Sequence, residues 1–178
     1  MSNFDTIVLN TLKSEGSEFT NDPNDRGGPT RWGITQHDLA QFRGHSVSAD
    51  DVKNMTVDEA KTIYKTKYWD PCNLDAITSY KKALIIFDQG VLCGTGTAAK
   101  RAQSACNAHL VPGLIVDGVI GPKSLKAINE MDEKLFCLEF LFLTQHYFLG
   151  IILNNPTQTV FMRGWLNRSQ NLMKDVLL

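Results

Sequence analysis

The stretch "LKSEGSEFTNDPNDRGGPTRWGIT", residues 12–35, carries four carboxylates, four glycines and two prolines. It follows a run in which Phe4, Ile7, Val8 and Leu12 recur at helical spacing. That run predicts a helix ending near residue 14, with Glu15 at its C-terminal end. The next twenty residues are dense in turn formers, with room for one small hairpin through Phe19-Thr20 and Arg31-Trp32. The stretch is therefore either a polar surface loop or the lip of a site.

Outward from it the chain reads as helices. Thr35 caps a short helix through Phe42, and "TVDEAKTIYKTKYW" opens with Thr56 and Glu59 in capping-box spacing. Residues 76–92 continue the helical pattern until Gly94 and Gly96 break it. "TAAKRAQSACNAHL" is a further helix, ended by Pro112-Gly113. "GPKSLKAINEM" places Pro122 at a first helical position, with Ser124 able to help cap. A last helix is expected from about Gln158 to Lys174.

"LFCLEFLFLTQHYFLGIILNN", residues 135–155, is apolar almost all the way round. A membrane span needs about 20 apolar residues, but Glu139, Gln145 and His146 interrupt this one. The expectation is the buried centre of a helical domain, with no stable membrane insertion.

Composition bounds the function. The 178 residues suit one domain, and 18 basic against 19 acidic residues give a net charge of −1. With no basic block, nucleic acid is not an expected partner. The N-terminus lacks a basic n-region and reads as an amphipathic helix rather than a signal peptide, which predicts synthesis in a cytoplasm. Cys72, Cys93, Cys106 and Cys137 match no zinc spacing and read as packed thiols. His37, His45, His109 and His146 are scattered, so neither metal nor cofactor is expected.

Glu15 gives the stretch its chemical reading. A carboxylate at a helix C-terminus is disfavoured by the helix dipole, and apolar neighbours would raise its pKa further. A carboxyl kept protonated near neutral pH can donate a proton to a leaving oxygen, as glycosidic cleavage requires. Asp22 or Asp25 could then act across a bound sugar, and a separation of about 6.5–9.5 Å would leave room for a water and give inversion. The alternative has Glu15 solvated and both aspartates forming turns.

"EGSEFTNDPNDRGGPTRWGIT" resembles the signature of glycoside hydrolase family 108, the phage-type N-acetylmuramidases. The matching positions are Glu15, Gly16, Asn21, Asp22, Pro23, Asp25, Gly27, Gly28, Thr30, Trp32, Gly33, Ile34 and Thr35. Ser17 departs from the family, which usually has a second glycine there. "YWDPCNLDAI" is similar to a substrate-domain segment. "DQGVLCGTGTAAKRAQ" resembles the family's Gly-centred helix start. "VDGVIGPKSLKAIN" and "FMRGWLNRSQNLM" resemble a C-terminal portion described as a predicted peptidoglycan-binding domain.

The resemblance implies a mainly α, lysozyme-like helical fold with a small β-hairpin region near the N-terminus and a cleft between two lobes. One domain would fill residues 1–178, with the catalytic motif in 1–90 and a C-terminal helical lobe in 91–178. It implies hydrolysis of the β-1,4 bond between N-acetylmuramic acid and N-acetylglucosamine, with glycan strands as partner, and carries the catalytic acid to Glu15. Phage lysozymes use a Glu, an Asp about nine residues on and a Thr about six later. Asp25 and Thr30 correspond approximately and are assigned to the attacking water, with Asp22 in reserve at the substrate. Trp32, Gln89 and Gly90 are further substrate-binding candidates, Trp32 by stacking on a sugar and Gln89 by bonding an N-acetyl group; core packing is the alternative for each. Trp165 and Arg168 are expected to close the lobes. Direct glycan contact by residues 117–124 stays open beside a plain turn-and-helix account.

A monomeric phage endolysin, released through a holin, is the expected setting, and a secretion-system effector would look the same. Two other function classes compete. A lytic transglycosylase needs the acid but no water-holding carboxylate, and a non-catalytic wall-binding relative needs neither.

Overall fold

The computed structural model describes residues 2–14, 18–21, 27–109 and 113–177. They form two compact units, Met1–Trp69 and Asp70–Leu178. The helix spanning residue 90 packs with the elements after it.

The first unit opens with helix α1 (Asn3–Ser14), whose Ile7, Val8, Thr11 and Leu12 are buried. A two-strand antiparallel hairpin follows, β1 (Thr30–Arg31) paired with β2 (Ile34–Thr35). Thr20 bridges Thr30 on the other side of β1, through reciprocal backbone bonds of 2.9 Å. The hairpin turn is Trp32-Gly33, with φ of +51° and +70°. Positive φ at both central residues is the pattern that matches strand twist in two-residue hairpins. Trp32 is therefore the turn itself, one step past the strand expected to hold it.

Local capping sets the next helices. Thr35 and Asp38 close a full capping box at α2 (Gln36–Arg43), and Gly44 ends it in the left-handed region. Ser48 and Asp51 do the same for α3 (Ala49–Lys53), a helix that its Ser-x-x-Asp spacing could have revealed. At α4 (Val57–Tyr64) only half of the expected box forms. Thr56 accepts from the Glu59 N–H, while the Glu59 carboxylate pairs with Arg43 at 2.8 and 3.0 Å. A π-helical turn, Lys65–Trp69, completes the unit.

The second unit begins with short 3-10 turns at Asp70–Cys72 and Leu74–Ala76. Then come α5 (Tyr80–Cys93) and α6 (Thr95–His109), which pack closely against each other. Small buried Ala98, Ala99, Ala102 and Ala105 let α6 approach its neighbours. α7 (Pro122–Glu130) starts at Pro122 as expected. Ser124 does not cap it; the side chain is buried and accepts from Gln103 at 3.1 Å. α8 (Glu133–Asn154), a 3-10 turn (Pro156–Phe161) and α9 (Met162–Leu177) finish the chain.

α8 corrects one expectation. It is not buried all round: Phe136, Cys137, Phe140, Leu141, Thr144 and Phe148 face the core, while the opposite side is open. All four cysteines are free. Burial pushes the Cys72 and Cys106 thiols up to about 11 and Cys137 to about 12, so these three are inert packing groups near neutral pH.

Candidate active site

α1 ends at Ser14, and its buried face anchors the helix immediately before the position of the candidate acid. Glu15 itself, Asp22 and Asp25 lie outside the described residues. What the structure does define is the framework on either side of them.

Thr30 is the centre of that framework. Its backbone is shared between Thr20 on one side and Thr35 on the other. The chain that includes Asp22 and Asp25 thus leaves and re-enters at one paired position. The Thr30 hydroxyl donates to the Gly28 carbonyl at 2.9 Å, which fixes its rotamer and leaves the oxygen lone pairs as acceptors.

Trp32 is held from several directions. The Tyr64 hydroxyl donates to its carbonyl at 2.9 Å, and the Arg31 guanidinium lies 4.1 Å from its ring centroid. Arg31 also donates to the carbonyls of Lys53 and Met55, which ties the hairpin to the end of α3. With 6% exposure, the indole is a packing group that offers no open face to a sugar. Sequence reasoning missed Arg31 and Tyr64, whose role depends on contacts 22 to 32 residues away.

Ion pairs brace the same unit. Lys61 pairs with Asp5 at 2.6 Å, joining α1 to α4, and Lys67 pairs with Asp38 at 2.7 Å. Arg43 binds Glu59 and Asp51 together. Hydrogen bonding to Arg43 lowers the Glu59 carboxyl below its ordinary value. A hollow of about 400 Å³ lies beside the glycine-rich segment, lined by Gly27, Gly28, Pro29, Gln36, His37 and Val47 among others.

Gln89 and Gly90 sit inside the second unit, where both are buried. The Gln89 amide oxygen accepts from Arg101 at 2.7 Å and its nitrogen donates to Asp88 at 3.0 Å. Asp88 in turn pairs with Arg168 at 3.0 Å, and Arg101 donates to Thr144 at 3.2 Å. This network stitches α5, α6, α8 and α9 together, so Gln89 has no free amide group for a glycan. Arg168 therefore holds α9 to α5, and Trp165 stacks on Phe148 of α8 with centroids 5.0 Å apart. Both fasten helices within the second unit.

The "DGVIGPKS" turn is also built from inside. Buried Gln103 donates to Asp117 at 2.8 Å and to the Val119 carbonyl at 3.0 Å, and accepts from the Gly118 N–H at 3.0 Å. Gly118 has φ of +85°, and a Cβ there would come within 3.0 Å of the Gly96 carbonyl. A hollow of about 430 Å³ lies alongside, with Ile115, Asp117, Val119 and Lys123 on its wall.

Comparison with known proteins places these features. Residues 8–94 match the family model described as glycosyl hydrolase 108, and residues 97–170 match one described as a predicted peptidoglycan domain. The solved structure of Brucella abortus SagA is similar over 98% of this chain and 93% of that one, at 27% identity and a TM-score of 0.78. No curated protein matches the chain.

Proposed function

We propose that this chain, a glycoside hydrolase acting on peptidoglycan whose residues 8–94 match the glycosyl hydrolase 108 model, is an N-acetylmuramidase. It cleaves the β-1,4 bond between N-acetylmuramic acid and N-acetylglucosamine. Glu15 acts as the general acid, protonating the glycosidic oxygen as the bond breaks. Asp25, with Asp22 as its alternate, takes a proton from the attacking water.

The observation that supports this division of labour is the placement of Thr30. Its hydroxyl hydrogen is committed to Gly28, so its oxygen can only accept. A water bonded there would direct one proton to Thr30 and present the other to a carboxylate. Attack from the face opposite the acid then inverts the anomeric centre.

The setting proposed is lysis of a host cell, with the enzyme made in a cytoplasm and released to the wall through a holin or a secretion system. Four free thiols fit folding in a reducing compartment. Mass spectrometry of digested cell wall tests the reading. Reducing-end muropeptides support it, whereas anhydro products would mean a lytic transglycosylase and unchanged wall a binding protein.

A further inference from the structure

The half of α8 that faces away from the core carries large apolar side chains beside Glu139, Gln145 and His146. Leu135, Leu138, Phe142, Leu149 and Leu153 recur along its outer side at helical spacing. The surface continues into the turn after α8, where Val160 and Phe161 stand out. The most exposed of these side chains cluster around that turn: Leu153 is 82% exposed, Val160 77% and Phe161 53%. From Phe140 through Met162 the chain contains no Asp, Glu, Lys or Arg. Charge resumes only at Glu139, which is tied to His109 at 3.0 Å, and at Arg163. Apolar surface of this continuity on a soluble protein marks an interaction site.

We propose that the α8–α9 turn is a membrane-docking surface that dips into the uncharged acyl boundary of a bilayer. Three features select lipid over a protein partner. Side chains exposed by three quarters or more protrude, and a bilayer accepts protrusions that a second protein could take only in matching pockets. The segment lacks the charged groups that would fix register against another protein. Several of the turn's polar groups are also satisfied internally, which lowers the cost of bringing them close to an apolar medium. The Asn155 carboxamide accepts from the Thr157 hydroxyl at 2.7 Å and from its N–H at 3.2 Å. The Gln158 N–H reaches the Asn155 carbonyl at 3.0 Å, and Pro156 has no N–H to satisfy. Docking is shallow, because the inner face of α8 remains packed on α5, α6 and α9. A wall hydrolase held in this way would work on the glycan nearest the membrane.

Flotation with vesicles of phosphatidylcholine alone tests the proposal, using the full chain and a Leu153→Asp/Val160→Asp variant. Both positions are exposed, so the variant should keep the wild-type circular dichroism, melting temperature and activity on isolated wall fragments. The wild type should float with the vesicles, unaffected by about 0.5 M salt, and the variant's binding should fall by about tenfold or more. Light scattering should show both as monomers. The proposal is overturned if the wild type ignores neutral vesicles, or if the variant binds equally well. It is also overturned if binding needs anionic lipid and is released by salt. A wild-type dimer that the variant splits, without lipid binding, would show that a second copy covers this surface.

Discussion

The Tyr64 hydroxyl donates a 2.9 Å hydrogen bond to the backbone carbonyl of Trp32, a residue held at φ of +51°. A bulky side chain in the left-handed region costs of order 1–3 kcal/mol and persists only where its surroundings over-determine it. Here Tyr64 fixes the carbonyl, Arg31 covers the ring, and the β1–β2 pairing fixes both ends of the turn. Tyr64→Phe should leave the buried Trp32 carbonyl without this donor and destabilise the protein by about 1–3 kcal/mol. Denaturant unfolding followed by tryptophan fluorescence measures this, and a variant as stable as the wild type would refute it.

Glu15→Gln keeps size and hydrogen bonding but cannot donate the proton. Wall-clearing activity should fall by about 10²–10⁴-fold with the melting temperature unchanged. A folded variant that clears walls at a comparable rate removes Glu15 from the acid role.

The two aspartates are separated by asparagine substitutions. Asp25→Asn should lose most hydrolysis, while Asp22→Asn should retain much of it and mainly weaken the turn. The first-formed product, read by NMR, should be the α-anomer released from a β-linked chain. The opposite pattern of dead and active variants would exchange the two roles, and a β-anomer would exclude a water held as described.

Thr30→Val keeps the β-branched shape but removes the hydroxyl. Activity should fall through kcat more than through KM, because the lost group contacts the attacking water and not the ground-state sugar. A change confined to KM would instead place Thr30 at a binding subsite.

Acid should loosen the first unit through Glu59. Its carboxyl is lowered from an ordinary value of 4.5, chiefly by hydrogen bonding to Arg43. A carboxyl with a depressed folded pKa stabilises above its unfolded value, and that stability is lost as pH falls through the folded one. Stability should therefore decline as pH drops below about 4.5, and Glu59→Gln should flatten that part of the profile. An identical acid profile in the two proteins would show that the Arg43 pair contributes nothing.

Several elements were legible in the residues because their causes are local. Thr35 with Asp38, Thr56 with the Glu59 N–H and Pro122 at a helix start act within one turn, where sequence spacing is also spatial distance. The family signature around Glu15 was readable for the same reason, being contiguous in the chain. Tertiary structure decided what depends on distant partners. Glu59 could have closed its own capping box, but Arg43, 16 residues earlier, binds the carboxylate more strongly as a charge-assisted pair. Gln89 has the chemistry to recognise an amide, and only the arrival of Arg101 on the next helix commits it to the interior. α8 shows the division most clearly. Its sequence is apolar on every side and so carries no record of which side is covered; the packing of α5, α6 and α9 on one face alone left the other open.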